Sequence, residues 1–318
     1  MTPTQLRAFT AIVRLGSVKK AAADLGVSEA AVSAHVGQLR RELGDRLFTP
    51  TAAGLAFTPG GLRLASRSAE LLGLQDRTVL EVSRAGRGRR FLRVAASSLF
   101  AEYAAPGLLE LFAGRAKDLD VELGVCSPHE FGEMLLTRAA DVAIGPQPPA
   151  LDEAICRQPF LNFQVAVVVG AQHPLGELRP GPGRLREQTW LLGPSAIGAI
   201  GVVPGLLRRL RVPEQQQQIF QSHAAALEEV KRGKGVTLAP AFAVGQDIAR
   251  GDLVRLGPPV TPGNGTWAAM SLTGAGSVPE AAELTRFVST PRAAQAMLRG
   301  TGVTAGRFRP SIHVTLWS

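Results

Sequence analysis

The chain contains 318 residues, of which 45% are hydrophobic and 19% charged, and it has a formal net charge of +9. This length predicts about two domains, and the composition is ordinary for a soluble globular protein with a sizeable core. No apolar run approaches the roughly 18 residues that a bilayer-spanning helix needs. The N-terminus has no apolar segment followed by a small-residue cleavage site, so we expect a cytoplasmic protein without a signal peptide.

The positive charge is concentrated at one end of the chain. Residues 1–90 contain 14 Lys and Arg against 7 Asp and Glu, whereas the remainder contains 21 against 19. A locally basic segment indicates a polyanionic partner, such as nucleic acid or a membrane surface. A basic surface without such a partner is the alternative.

Three short helices are predicted between Thr4 and Gly44. Apolar residues recur there at helical spacing, first from Thr4 to Leu15 and then along the segments that follow. Serines and glycines mark the boundaries, because Ser is a good N-cap and Gly readily ends a helix in the left-handed conformation. The predicted N-caps are Ser17 and Ser28, and the predicted helix ends are Gly16, Gly26 and Gly44.

A hairpin and a longer helix are predicted next. Leu47 to Phe57 is short and irregular and suits a small hairpin or wing. Thr58 and Pro59 then form a helix start, with Thr as N-cap and Pro at the first helical position. The helix has a heptad-like apolar seam with one polar interruption at Asp76. We favour a dimerisation helix over an amphipathic helix packed on its own domain. The seam residues are Leu62, Ala65, Ala69, Leu72 and Val79.

The pattern changes after the stretch from Arg84 to Arg90, whose glycines and arginines indicate a flexible linker. Beyond it, short strands alternate with helices, which predicts a mostly parallel, covered sheet in two α/β lobes. The final residues alternate apolar and polar side chains and suit an edge strand. The predicted strands are 91–96, 121–125, 142–144, 164–169, 189–192, 217–221 and 236–240. The predicted domains are 1–58, 59–90, 91–300 and a tail at 301–318.

The stretch AAADLGVSEAAVSAHVGQL joins the second and third helices through a glycine turn. Two helices joined by a short turn that contains Gly describe a helix-turn-helix. Ala21 and Ala22 are small where the backbones approach, and Gly26 is free to adopt the positive φ of the corner. The third helix keeps one exposed side, which fits a major groove about 12 Å wide. An ordinary helical hairpin in an all-α core is the alternative.

The N-terminal residues resemble the DNA-binding domain of LysR-type transcriptional regulators. The resemblance rests on LRAFTAIVRLGSVKKAAADLGVSEAAVSAHVGQLRRELGDRLF and the following FTPGG, within residues 4–61. It continues more loosely through ADVAIG at 140–145, QHPLG at 172–176 and EEVKRGKGVTLAP at 228–240. The resemblance implies an all-α winged helix-turn-helix, a long dimerising linker helix and a C-terminal α/β domain. That domain has two Rossmann-like lobes similar to type 2 periplasmic binding proteins.

The same resemblance implies the partners of the protein. These are double-stranded DNA, a small-molecule effector between the lobes, and further copies of the chain in a homodimer or a dimer of dimers. No membrane partner is implied. We therefore expect a ligand-responsive DNA-binding transcriptional regulator. A solute-binding protein and an α/β enzyme without DNA function are the alternatives.

The residues that would face DNA depart from the family pattern. Ser-Glu-Ala-Ala at 28–31 stands where the family usually has Ser-Gln-Pro-Ala, and Pro50 stands at the usual wing arginine. Glu29 suits an acceptor role toward cytosine N4. Capping by Ser28 and a solvated charged face are the alternatives. The candidate DNA-contacting residues are Ser28, Glu29, Ala30, Ser33, Ala34, His35, Thr49 and Thr51, with Lys19, Lys20, Arg40 and Arg41 as candidate phosphate partners.

Polar residues follow several predicted strands of the C-terminal domain. Ligands of two-lobed α/β domains lie outside the carboxyl ends of the strands, and hydroxyls beside free helix amides suit a carboxylate or phosphate. Helix capping is the alternative for the serines. By default we expect a polar, anionic metabolite as the effector, and no cofactor. The candidate effector-contacting residues are Ser97, Ser98, Ser127, His129, Pro194, Ser195, Ser222 and His223.

No catalytic set is apparent, so an enzyme is not expected. The five histidines have no metal-ligand spacing, and neither a G-x-S-x-G elbow nor a P-loop occurs. GAGSVP at 274–279 begins like a dinucleotide fingerprint but has Pro279 in place of Gly. Cys126 and Cys156 suit small buried positions in a reducing compartment better than a redox pair.

Overall fold

The computed structural model describes residues 1–51, 54–85, 88–176, 181–258, 260–274, 277–299 and 312–316. It divides into two compact units. The N-terminal unit comprises Met1–Ser83 with Leu136–Ala139, and the C-terminal unit comprises Arg84–Leu135 with Ala140–Ser318.

The N-terminal unit contains the three predicted helices, the hairpin and the longer helix. Its elements are α1 (Pro3–Leu15), α2 (Val18–Leu25), α3 (Glu29–Leu43), β1 (Phe48–Thr51), β2 (Gly54–Phe57) and α4 (Pro59–Ala85). The hairpin strands pair antiparallel, with Phe48 opposite Phe57. One apolar cluster holds the unit together, with Phe9, Ile12, Val32 and Leu39 completely buried.

The predicted helix boundaries of this unit are confirmed. The Ser17 hydroxyl accepts a bond from the Lys20 N–H at 3.5 Å, and the Ser28 hydroxyl accepts one from the Ala31 N–H at 3.2 Å. Gly26 has φ +65°, a left-handed conformation that L side chains rarely adopt. Ala21 and Ala22 are buried in the corner between α2 and α3, as their small size predicts.

Helix α4 begins as predicted, because the Thr58 hydroxyl accepts the Gly61 N–H at 2.9 Å. It extends to Ala85, so the predicted linker from Arg84 starts inside the helix. The apolar seam is divided: Ala65 and Leu72 pack against the core of their own unit, whereas Leu62 and Val79 are 60% and 65% exposed. Dimerisation through the seam stays a prediction.

The C-terminal unit is built on one sheet of ten strands. Their bounds are β3 (Arg90–Ala96), β4 (Leu119–Val125), β5 (Val142–Gly145), β6 (Ile155–Gly170), β7 (Trp190–Leu192), β8 (Gln217–Ile219), β9 (Val236–Pro240), β10 (Leu253–Arg255), β11 (Gly263–Leu272) and β12 (Ile312–Leu316). The order across the sheet is β12-β4-β3-β5-β11-β6-β9-β7-β8, with β10 paired to β6. The backbone of β12 runs parallel to β4 at the edge, where the sequence predicted an edge strand.

The prediction of a mostly parallel sheet holds for five of the nine strand pairs described in this sheet, and the other four are antiparallel. Strand β11 runs antiparallel to β5 and β6, and β6 runs antiparallel to β9 and β10. The strand predicted at 164–169 is only the buried end of the 16-residue β6, whose first half is mostly exposed or half-buried. The long antiparallel pair β6 and β11 connects two groups of parallel strands, β3 to β5 and β7 to β9.

Nine helices of this unit cover the sheet in the part of the chain described. They are α5 (Ser98–Tyr103), α6 (Ala105–Ala113), α7 (Phe131–Leu136), α8 (Pro182–Arg186), α9 (Val202–Leu210), α10 (His223–Lys231), α11 (Ala241–Arg250), α12 (Pro279–Phe287) and α13 (Pro291–Leu298). We define the first lobe as β3–β5 with α5–α7, α12 and α13. The second lobe is β7–β10 with α8–α11. The chain between Ser98 and Ala113 forms two helices, α5 and α6, which are separated at Ala104.

Candidate functional site

Helix α3 presents one polar, exposed side above a buried one. Val32, Val36 and Leu39 point into the core of the unit. The opposite side carries small side chains, and Ala30 and Ala34 are exposed. Of the candidate DNA-contacting residues on this helix, Ser28, Glu29, Ala30, Ser33 and Ala34 are exposed, and His35 is half-buried. Gly37 lies along the same side and was missed, although its mid-helix position could have signalled it.

Arg40, a candidate phosphate partner, also has a structural role. Its guanidinium Nη2 donates to the carbonyl of Phe48 at 2.8 Å and lies 4.6 Å above the Phe48 ring. Because Phe48 begins the hairpin, Arg40 fastens the hairpin to α3 through a cation–π contact and a charge-assisted bond. Because a guanidinium has five N–H donors, a phosphate contact by Arg40 stays a prediction.

The remaining candidate cations of this unit are open to a ligand. Lys19, Lys20 and Arg41 are exposed, and so is Thr49 in the hairpin. The side chain of Thr51 lies outside the described residues. Asp45 holds the base of the hairpin, because its Oδ1 accepts bonds from the Leu47 N–H at 2.6 Å and the Thr58 hydroxyl at 2.7 Å. These bonds lower the pKa of the Asp45 carboxyl below its usual value.

A cavity of about 990 Å³ opens in the C-terminal unit between its two lobes. The cavity wall includes six of the eight candidate effector-contacting residues, namely Ser97, Ser98, Ser127, His129, Pro194 and Ser195. The Ser97 side chain is 4% exposed. The hydroxyls of Ser97 and Ser195 have no hydrogen-bond partner among the described residues. Since buried hydroxyls normally have a partner, both hydroxyls lack a bond that a bound molecule could supply.

Ser127 is already engaged as a cap. Its hydroxyl accepts the His129 N–H at 3.4 Å, while its own N–H donates to the Glu130 carboxylate at 2.6 Å. The capping interpretation is therefore confirmed for Ser127, which still borders the cavity.

Ser222 and His223 do not border the cavity. The Ser222 hydroxyl accepts the Ala225 N–H at 3.1 Å and caps α10. The His223 ring is packed behind the cavity wall, with Nε2 3.4 Å from the Ser98 hydroxyl. It lies so close to Gly193 that a Cβ there would come within 2.2 Å of Nδ1. Burial lowers the pKa of His223 to about 4, so the ring is neutral near pH 7.

The N-terminus of α10 is occupied by a carboxylate from the other lobe. Glu102 of α5 accepts the His223 N–H at 2.9 Å and the Ala224 N–H at 3.1 Å. Burial raises the pKa of Glu102 above its usual value, and these two bonds act in the opposite direction. The helix start that the sequence offered to an anionic effector is thus used to join the lobes.

Much of the cavity wall was missed by sequence reasoning. Residues 197–206 and 263–267 supply it, together with Phe163 and Arg209. The Trp267 ring packs against Phe163, with centroids 4.1 Å apart. The glycines of GAIGVVPG and GNG were the available signal, since glycine in or near a strand often marks a close approach of backbone.

Other chemistry that the sequence raised has little support in the described residues. They contain no group of three His, Cys, Asp or Glu side chains placed to hold a metal ion. They also contain no helix long and apolar enough to cross a membrane. Cys126 borders the cavity, and burial raises the pKa of its thiol to about 12, so it carries no reactive thiolate. The GAGSVP stretch lies partly outside the described residues, and Pro279 begins α12.

Two family models match the chain. The bacterial regulatory helix-turn-helix model of the lysR family matches residues 3–62, and the LysR substrate binding domain model matches residues 85–290. The chain is 55% identical over 321 residues to the HTH-type transcriptional regulator Rv0377 of Mycobacterium tuberculosis, and the match covers 100% of both proteins. It is 26% identical to the RuBisCO operon transcriptional regulator of Allochromatium vinosum, over 89% of this chain and 94% of that protein.

Solved structures share the fold. ArgP from Mycobacterium tuberculosis matches with a TM-score of 0.56 at 18% identity, over 92% of this chain and 96% of that one. Full-length CbnR in complex with its target DNA also matches with a TM-score of 0.56, at 21% identity, over 91% and 99%. The helix-turn-helix and the two-lobed α/β domain thus occur together in known proteins of this architecture. The chain belongs to the LysR family, and it is a ligand-responsive, DNA-binding transcriptional regulator.

Proposed function

We propose that the exposed side of α3 enters the major groove of double-stranded DNA and reads base edges there. The observation that carries this proposal is the exposure of Ala30, Ser33 and Ala34 directly opposite the buried side of α3. Such short side chains let the helix approach the bases closely, and an alanine methyl suits the methyl group of thymine. Glu29 at the start of the helix is the candidate acceptor for cytosine N4.

Phosphate contacts would come from the cations around this helix. Lys19, Lys20 and Arg41 are exposed and positioned on α2 and α3. Thr49 and Thr51 of the hairpin are further candidates, and so is Arg40, which also holds the hairpin. Phosphate contacts position a protein on the duplex without reading its sequence.

The cavity between the lobes is the proposed effector site. Two buried hydroxyls without a protein partner, Ser97 and Ser195, support this assignment. The effector would change DNA affinity by binding one arrangement of the lobes better than another. We further propose that the protein acts in the cytoplasm as a homodimer or dimer of dimers. Exposed apolar residues of α4 would form the contact between copies: Leu62, Leu71, Leu74, Val79 and Val82.

We propose binding rather than catalysis as the activity of the cavity. The nearest approach to a nucleophile and its base is Ser98 with His223, at 3.4 Å. A catalytic triad needs a carboxylate on the imidazole ring, whereas Glu102 bonds to the backbone N–H groups of His223 and Ala224.

A gel shift on the DNA upstream of the gene, over a range of salt concentrations, tests the DNA-binding role. Glu29→Ala should change the preferred bases with little loss of non-specific affinity. Lys20→Ala should weaken binding to all sequences and reduce the salt slope by about 1. The matched control is Lys117→Ala, which removes an exposed lysine of the C-terminal unit and should change neither property. Unchanged base preference in Glu29→Ala contradicts its role in readout, and a lack of salt-sensitive binding to any DNA contradicts the proposal.

A further inference from the structure

The cavity wall offers little charge to a ligand, with Arg209 as its arginine. Among the described residues that border the cavity, three have ionisable side chains: Cys126, His129 and Arg209. The Cys126 thiol is neutral because of its burial, and His129 lies exposed at the margin. The Arg209 guanidinium Nη2 donates to the carbonyls of Thr261 at 2.6 Å and Pro262 at 3.1 Å. No carboxylate and no lysine borders the cavity among these residues.

The start of α9 is the strongest reason to expect an anion instead. This helix begins at Val202 in the cavity wall, and Gly201 provides no side-chain cap. However, Pro204 lies in its first turn and has no N–H, so this turn has one backbone donor fewer than an ordinary helix start. The corresponding start of α10 is filled by Glu102.

Most of the rest of the wall is apolar, and Gln147, Asn264 and Thr266 add neutral polar side chains. The ring pair of Phe163 and Trp267 forms one side, and Leu99, Val125, Ile200 and Leu206 extend the apolar surface. An anion that enters such a cavity loses hydration, and the Arg209 guanidinium that it meets already donates to two carbonyls. Removing the hydration of an anion costs far more than the desolvation of a neutral polar group. A neutral molecule gains from the apolar contact and needs only a few hydrogen bonds, which the Ser97 and Ser195 hydroxyls supply.

We propose that the effector is an uncharged, largely apolar molecule with a hydrogen-bonding group that meets the Ser97 hydroxyl. This inference rests on the proposed function, in which the cavity is the effector site. It replaces the expectation of an anionic metabolite. The volume of about 990 Å³ is at the upper end of the sites that hold drug-sized ligands, so a molecule of two or more rings fits.

Two fluorescent probes that differ by one sulfonate test the inference on the full-length protein. N-phenyl-1-naphthylamine is neutral, and 1-anilinonaphthalene-8-sulfonate adds an anionic group to the same ring system. Trp267 borders the cavity, so energy transfer from tryptophan to a bound probe reports occupancy. We expect the neutral probe to bind at least about tenfold more tightly than the anionic one.

Variants of the cavity wall show whether the probe signal comes from the cavity, and they test the effect of an added charge. Ser195→Phe should fill part of the cavity and weaken the neutral probe at least about tenfold. The matched control is Ala150→Phe, which adds the same ring at an exposed position outside the wall and should leave binding unchanged. Ser195→Lys supplies a cation, and it should raise the affinity for the sulfonate probe relative to the neutral one at least about fivefold.

The outcomes separate the ligand class from the proposed function. The inference is supported if the wild type binds the neutral probe more tightly, if Ser195→Phe weakens that binding, and if Ser195→Lys shifts the preference toward the sulfonate probe. The proposal of an uncharged effector is overturned if the wild type binds the sulfonate probe equally or more tightly and Ser195→Phe weakens this binding. The cavity would then still be the proposed effector site. Probe signals that are the same in Ser195→Phe and the wild type overturn both. The gel shift measures DNA binding independently of these results.

Discussion

The two units differ in the sequence separation between a helix start and the side chains that cap it. In the N-terminal unit, the caps Thr2, Ser17, Ser28 and Thr58 each accept a bond from the backbone N–H three residues later. In the C-terminal unit, α10 is capped both by the adjacent Ser222 and by Glu102, which lies 121 residues before His223 in sequence. The local caps involve residues only three positions apart in sequence. The contact between Glu102 and α10 exists only after the sheet has formed.

The two candidate sites follow the same division. The proposed DNA-reading surface comes from consecutive residues of one helix and the hairpin that follows it. The cavity takes its wall from six separate segments, 97–99, 125–129, 146–147, 163, 194–209 and 263–267. A change in the first site should therefore act locally, whereas a change behind the cavity should act on the connection between the lobes.

The largest expected effect is the destabilisation of the N-terminal unit while the C-terminal unit stays folded. Phe9 is completely buried and its ring stacks on Phe48, with centroids 6.3 Å apart. Phe9→Ala removes this ring from a small core and should destabilise the N-terminal unit by about 3–5 kcal/mol. We expect DNA binding in the gel shift to be lost while N-phenyl-1-naphthylamine still binds.

Leu43→Ala is the matched control, since Leu43 is 43% exposed in the same unit. It should change stability by less than about 0.5 kcal/mol. Loss of probe binding together with DNA binding in Phe9→Ala would contradict the independence of the two cores.

The sequence predicted most of the N-terminal unit and less of the cavity. The bounds of α1 to α3 follow from capping residues, glycines and apolar spacing, which are local signals. The contact of Arg40 with Phe48 was not predicted, because it depends on the fold of the hairpin. In the C-terminal unit, Ser97 and Ser195 were found from the rule that ligands lie beyond strand ends. Strand β11 was missed, since its first residues, GNG, lack the apolar alternation that marks a strand.

The second expected effect is a pH dependence that belongs to the C-terminal unit alone. The His223 ring faces Ser98 and Tyr103, and the His223 backbone N–H donates to Glu102. Burial lowers the pKa of the ring to about 4 from an ordinary value of 6.5. As the pH falls below 6.5, the unfolded chain takes up a proton that the folded chain excludes. Stability from this group is therefore complete above pH 6.5 and is lost between about 6.5 and 4, with a total of about 3 kcal/mol.

His223→Gln isolates this contribution, because it removes the titrating ring and leaves Glu102 in place. Urea unfolding from pH 7.5 to 4.5, followed by the fluorescence of the buried Trp190 and Trp267, should give a flatter profile for the variant. Glu102 also titrates in the acid range, so the difference between the two profiles is the quantity to compare. Parallel profiles would show that His223 is not excluded from protonation in the folded unit.

The third expected effect concerns the connection between the lobes. Glu102→Ala leaves the N–H groups of His223 and Ala224 without their acceptor, which should cost about 2 kcal/mol of unfolding free energy. Glu102→Gln keeps one acceptor oxygen and should lose roughly half as much. The exposed Glu153 provides the control Glu153→Ala, with a change close to zero. Urea unfolding at pH 7.5 measures all three, and equal stability of the two alanine variants would contradict the bridging role of Glu102.

The smallest expected effect separates a cap from a DNA contact at one residue. The Ser28 hydroxyl accepts the Ala31 N–H at 3.2 Å, so Ser28→Ala should lower the stability of the N-terminal unit by about 1 kcal/mol. Ser28→Asp restores an acceptor for the same N–H and should restore stability, because Asp is also a strong N-cap. The added carboxylate lies at the start of α3, where the proposal places the DNA. If Ser28 faces the duplex, Ser28→Asp should regain thermal stability while it binds DNA more weakly than Ser28→Ala. Recovery of both thermal stability and DNA affinity in Ser28→Asp would show that Ser28 is only an N-cap. The capping signal that predicted the start of α3 would then not predict a DNA contact.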